Sequence, residues 1–95
     1  MFSTTNLKID IMKILVVDDK QSLSELVSQF LGQSYKVTTM EDGLAALTWM
    51  QEGNIPDLVI TDLEMPNMDG FELIQKIKES GYFANIPIIV LSCRD

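Results

Sequence analysis

Three stretches of this sequence end a short apolar run on a polar residue able to do chemistry. Leu58-Val59-Ile60-Thr61 runs into Asp62, Ile14-Leu15-Val16-Val17 runs into Asp18-Asp19, and Ile88-Ile89-Val90-Leu91 runs into Ser92. A carboxylate can serve as a nucleophile or a metal ligand, and a hydroxyl can hydrogen-bond an anion. If the first and third runs are neighbouring strands, three carboxylates converge on one shallow pocket. Two unit charges about 5 Å apart at an effective dielectric of 20 repel by roughly 3 kcal/mol. A cation or a shifted pKa has to relieve such crowding. An all-oxygen cluster without Cys or His suits Mg2+, which keeps several waters and would draw in a phosphoryl group. Each group alone has a plainer reading. Asp18-Asp19 could begin a helix, Asp62 could be a loop acid, and Ser92 could satisfy backbone at a strand end. Those readings weaken together, because all four residues fall at the same edge of one predicted sheet.

The elements that would position these groups alternate. Ile14–Val17 is apolar at every position, as in a strand covered on both faces. Lys20 to Gln33 carries Leu23, Leu26, Val27, Phe30 and Leu31 at helical spacing, and Gly32 is placed to end that helix. Tyr35 to Met40 reads as an edge strand of mixed polarity. Asp42-Gly43 turns the chain into a second helix, Leu44 to Gln51, with Leu44, Leu47 and Met50 inward and Trp49 on its flank as core or rim packing. Gly53-Asn54-Ile55-Pro56 is a loop, and Leu58–Thr61 is the third strand. Asp69 is a good N-cap with Glu72 three residues on, as in a capping box. The helix it opens is expected to bury Phe71, Ile74 and Ile77, with Leu73 at the stripe's edge, and to stop near Ser80-Gly81. Ile88–Leu91 is the fourth strand. The order β-α-β-α-β-α-β predicts an α/β fold, a doubly wound parallel sheet with helices on both faces. Function in such sheets collects at the carboxyl ends of the strands, where strand order reverses.

Composition narrows the partners. The 95 residues make one small domain, and 46% of them are hydrophobic, which argues against disorder. Lys plus Arg total 7 against 14 Asp plus Glu, a net charge of −7. That disfavours direct contact with nucleic acid or an anionic membrane. Cys93 is the only cysteine, which excludes an internal disulfide and suits a reducing cytoplasm. The absence of His removes any imidazole base or ligand. No apolar run is long enough to span a bilayer, and Met1 to Asp10 lacks the features of a secretory signal. Residues 1–11 read as a loose N-terminal extension, with the domain proper at 12–95.

The string Asp62-Leu63-Glu64-Met65-Pro66-Asn67-Met68-Asp69-Gly70, together with Leu15-Val16-Val17-Asp18-Asp19 and Pro87-Ile88-Ile89-Val90-Leu91-Ser92, resembles the receiver domain of two-component response regulators. The resemblance runs from about Met12 to the end and implies a flavodoxin-like receiver fold. It implies that Asp62 is the phosphoacceptor, taking a phosphoryl group from a histidine kinase or phosphotransfer protein. Asp19 would bind Mg2+ directly, Asp18 would help hold it, and the backbone carbonyl of Glu64 would add a ligand. Ser92 would hydrogen-bond a phosphoryl oxygen and act as the switch. Pro66 and Gly70 fit a fixed loop with close backbone approach.

The family normally continues with a helix, a lysine-bearing fifth strand and a final helix. This sequence ends at Asp95, and no lysine follows the fourth strand. Two expectations follow: weakened phosphoryl transfer, and self-association through the open edge of the fourth strand or the adjoining sheet face. The leading reading is a cytoplasmic signalling switch rather than a turnover enzyme. The alternative is a receiver-like interaction module that is not phosphorylated. A Mg2+-dependent phosphatase with an aspartate nucleophile needs a second acid near Asp62; Glu64 lies two residues on, but the Met65-Pro66-Asn67-Met68-Asp69-Gly70 that follows fits a receiver better. A flavin-binding protein fits less well, because no phosphate loop follows the first strand.

Overall fold

The structure, a computed structural model, describes residues 11–91. The N-terminal extension, apart from Ile11, lies outside the described residues, as does Ser92. Four strands form one parallel sheet: β1 (Lys13–Val17), β2 (Lys36–Met40), β3 (Leu58–Thr61) and β4 (Ile88–Val90). Their spatial order is β2-β1-β3-β4. Helices α1 (Gln21–Leu31), α2 (Gly43–Gln51) and α3 (Gly70–Glu79) connect them. The expected alternation is therefore present. The apolar Ile14–Val17 run sits centrally and is buried at every position, while the mixed β2 lies at an edge.

The pleat divides the apolar side chains between two faces. Leu15, Val17 and Val59 join Ala46 and Met50 of α2 and Leu73 and Ile77 of α3 in the main core. Trp49 packs against this cluster from the flank, as its sequence position predicts. On the other face, Val16, Ile60 and Ile89 are register partners in one row, and α1 contacts β1 and β2.

Helices α2 and α3 are rotated away from the orientation their sequences predict, and for the same reason. Each begins on a glycine pressed against backbone. A Cβ on Gly43 would lie 2.6 Å from the Met68 carbonyl oxygen, and one on Gly70 would lie 2.1 Å from the Asp62 carbonyl oxygen. Docking that first residue inward fixes the rotation of the whole helix. Positions three and seven further on are then buried: Ala46 and Met50 in α2, Leu73 and Ile77 in α3. Leu44 and Phe71, one residue past each glycine, fall roughly 160° around the helix from Ala46 and Leu73. They are 52% and 64% exposed, so neither is the core residue its apolar character suggests. Leu73, expected at the edge of the stripe, is instead at its centre.

The α1 stripe also departs from expectation. Leu26 is 63% exposed and Phe30 78% exposed. They border an open groove of about 480 Å3 whose other walls include Val27, Ile60, Ile89 and Leu91. The amphipathic pattern is real, but α1 covers β1 and β2 and leaves the β3-β4 side of that face without a second helix among the described residues.

Candidate functional site

The sheet ladder continues one residue past β1 and β3, and this fixes two of the acids. Asp18 N–H donates to the Met40 carbonyl at 3.0 Å, and Asp62 N–H donates to the Val17 carbonyl at 2.9 Å. Both side chains are buried at the rim, while Asp19 is exposed. One carboxylate oxygen from each of Asp18, Asp19 and Asp62 lies within 4.8 Å of the others. The convergence expected from the sequence is thus present.

Asp18 and Asp62 are held by hydrogen bonds. Asp18 Oδ1 accepts from the Lys20 N–H at 2.8 Å, and Asp62 Oδ1 accepts from the Leu63 N–H at 2.7 Å. Burial pushes the Asp18 carboxyl above its ordinary pKa, and the charges of Asp62 and Asp19 push the same way, against the Lys20 N–H and ammonium. The cluster therefore carries the electrostatic crowding that a cation relieves.

One cation is supplied by the chain itself. Lys20 Nζ donates to Asp62 Oδ2 at 3.1 Å and lies 3.7 Å from Asp19 Oδ1. The hydrogen bond and charge of Asp62 hold the Lys20 ammonium above its ordinary pKa. Sequence reasoning missed this residue. The available signal was its position directly after the acid pair, where a helix start points a side chain back toward the strand ends. That an ammonium settles here shows that the pocket accepts a cation. The donor set is all carboxylate oxygen and partly buried, which fits a hard divalent ion such as Mg2+.

The loop after Asp62 is braced on two sides. Gly70 N–H donates to the Leu63 carbonyl at 2.9 Å, and Asp69 Oδ1 accepts from Glu72 N–H at 2.9 Å as the N-cap of α3. Asn67 has a φ of 65°, in the left-handed region that Asn tolerates. Its side-chain amide donates to Asp42 Oδ2 at 2.7 Å, while Asp42 Oδ1 caps α2 by accepting from Ala45 N–H at 2.8 Å. One carboxylate thus joins the start of α2 to the loop after Asp62. Glu64 is exposed in this loop, two residues past Asp62. Leu91 N–H donates to the Thr61 carbonyl at 2.9 Å and brings the end of β4 beside β3.

The Asp42 bridge has a pH signature. Hydrogen bonds from Ala45 and Asn67 hold its carboxyl below the ordinary value. A depressed folded-state pKa contributes stability above the unfolded pKa, about 3.9, and loses it as pH falls through the lower folded value. Asp42→Ala should cost about 1–2 kcal/mol at neutral pH. In urea titrations the difference from wild type should shrink as pH falls below about 4; a difference that is constant with pH would exclude the ionised bridge.

Comparison with known proteins agrees with this geometry. The profile of the response regulator receiver domain matches residues 14–95. The chain is similar to the two-component response regulator ORR6 of Oryza sativa subsp. japonica, with 37% identity over 84 residues, covering 85% of this chain and 49% of that protein. Its structure is similar to chemotaxis response regulator CheY4 of Vibrio cholerae, with a TM-score of 0.84 at 34% identity, covering 90% of this chain and 71% of that one. It is also similar to the Mn(2+)-bound form of response regulator Rcp1, with a TM-score of 0.80 at 32% identity, covering 87% and 66% of the two chains. The chain thus spans about half the length of a curated relative such as ORR6. With the profile covering the sheet, its helices and the whole acid rim, the chain belongs to the response regulator receiver domain family of two-component systems.

Proposed function

We propose that this domain accepts a phosphoryl group on Asp62 from a phosphohistidine of a partner kinase or phosphotransfer protein, with Mg2+ bound. The observation that carries the reading is the approach of Asp18, Asp19 and Asp62 to within 4.8 Å at the strand ends. One carboxylate oxygen of Asp62 forms the new bond to phosphorus. The phosphorus–nitrogen bond breaks, and its electron pair leaves with the imidazole, which takes up a proton. Asp62 enters this step already oriented, since Oδ1 is tied to the Leu63 N–H and its backbone to Val17. Asp18, Asp19, Asp62 and the Glu64 carbonyl would hold the Mg2+. Once bound, that ion offsets charge on the transferring group. Rcp1, a structural relative described in a Mn(2+)-bound form, supports the binding of a divalent ion. Ser92 takes the role of hydrogen-bonding the phosphoryl group and reporting it. The domain acts as a signalling switch in the cytoplasm, and its acid balance disfavours nucleic-acid contact by this segment. Among the described residues no helix is long and apolar enough to cross a membrane.

The test is incubation with Mg2+ and a small phosphodonor, followed by intact-mass and peptide mass spectrometry. Addition of one phosphoryl group mapping to Asp62 supports the proposal. An unmodified protein that still binds Mg2+ supports the interaction-module reading instead.

Self-association is the second part of the proposal. Ile89 and Val90 of the edge strand β4 are 49% and 44% exposed, and Phe30 stands across the groove. An apolar edge and patch of this kind are covered in solution by a second copy. In sedimentation velocity, the weight-average coefficient should rise with protein concentration, and Phe30→Glu should flatten that rise. A monomer at every concentration would rule this out.

A further inference from the structure

Lys20 has no role in the phosphoryl-transfer scheme above, yet its ammonium sits among that scheme's metal ligands. It is 3.1 Å from Asp62 Oδ2 and 3.7 Å from Asp19 Oδ1, two of the three carboxylates in the cluster. A divalent ion repels an ammonium twice as strongly as a unit charge does, so an ion held by these acids disfavours the Lys20 ammonium beside them. We propose that Lys20 is a built-in competitor for the divalent cation, neutralising the acid rim of the metal-free protein and leaving Asp62 and Asp19 when a metal binds. The inference rests on the metal-binding part of the proposed function.

The geometry allows that exchange. The Lys20 backbone is pinned: its N–H donates to Asp18 Oδ1, and its carbonyl accepts from Leu23 and Ser24 at the start of α1. Its side chain is half in solvent, at 53% exposure. The ammonium can therefore swing outward on a flexible stem without disturbing α1 or Asp18. Lys20 is accordingly a residue that sets metal affinity. Removing its charge should leave the acids poorly compensated and more eager for a metal.

The test is calorimetric titration of Mn2+ into the wild-type chain, K20Q and K20R, with melting temperatures measured with and without the ion. An ion pair with one partner half in solvent corresponds to about fivefold in affinity. K20Q should bind Mn2+ about fivefold more tightly than wild type and show the larger metal-induced rise in melting temperature, while K20R, which keeps the charge, stays within about twofold. Equal or weaker binding by K20Q beside a binding wild type overturns the role of Lys20 alone. Absence of Mn2+ binding in all three proteins overturns both this role and the metal site itself.

Discussion

Asp62→Asn should abolish phosphoryl incorporation. With Mg2+ and a small phosphodonor, the wild-type chain should gain one phosphoryl group that hydroxylamine removes, as expected of an acyl phosphate, and the variant should gain none. The substitution is nearly isosteric. An amide oxygen at this position can still accept from the Leu63 N–H, and the backbone bond to Val17 is untouched. What disappears is the nucleophile, because an amide is far too weak to attack phosphorus. The same change removes one of three converging charges, so metal affinity should fall about tenfold or more. Phosphorylation of the variant at wild-type rate would mean that the acceptor lies elsewhere.

The second large effect is expected at a residue with no functional group at all. Gly70→Ala should destabilise the fold by about 2–4 kcal/mol, which for a chain of this size lowers the melting temperature by on the order of 10 °C or more. The added Cβ would lie 2.1 Å from the Asp62 carbonyl oxygen and 2.8 Å from Leu63 Cα. Both are backbone atoms, held by the bond between Gly70 N–H and the Leu63 carbonyl and by the β3 ladder. Relief requires α3 or the loop after Asp62 to move. Helix propensity alone argues the other way, since alanine is favoured over glycine by about 1 kcal/mol inside a helix. The sign of the effect therefore tests the contact directly. Gly81 is the control, because a Cβ there meets nothing within 4 Å. Thermal unfolding followed by circular dichroism should show a large loss for Gly70→Ala and a small change for Gly81→Ala. Equal melting temperatures would contradict the packing.

Residue patterns carried the sheet and its acid rim because both are written in short-range order. Three apolar runs, each ending in a polar group, and one mixed strand alternate with helical stretches; that order predicts parallel strands, and parallel strands bring their carboxyl ends to one edge. Helix rotation was less legible. In α3 the apolar set Phe71, Leu73, Ile74 and Ile77 fits more than one stripe, and the choice is made by Gly70 docking against Asp62 backbone. In α2 the same decision falls to Gly43 against Met68. Neither glycine signals a buried face by its own chemistry. The α1 stripe is apolar as its spacing predicts, but a stripe does not say which layer will cover it, and Phe30 stands in solvent. Lys20 is hard to single out because it is one of seven Lys and Arg residues, and the folded geometry is what turns its side chain into the cluster.

The uneven clothing of the sheet has a mechanical consequence. Two helices and most of the large buried side chains lie on one side, whereas α1 and β4 rest on few fully buried groups. Local opening draws on the least supported contacts first. The loop after Asp62 hangs from the well-supported side, through Gly70, Asn67 and Asp42. Fluctuations of α1 and β4 can therefore be frequent while Asp62 stays aimed, which separates the part of the molecule that breathes from the part that must hold its geometry.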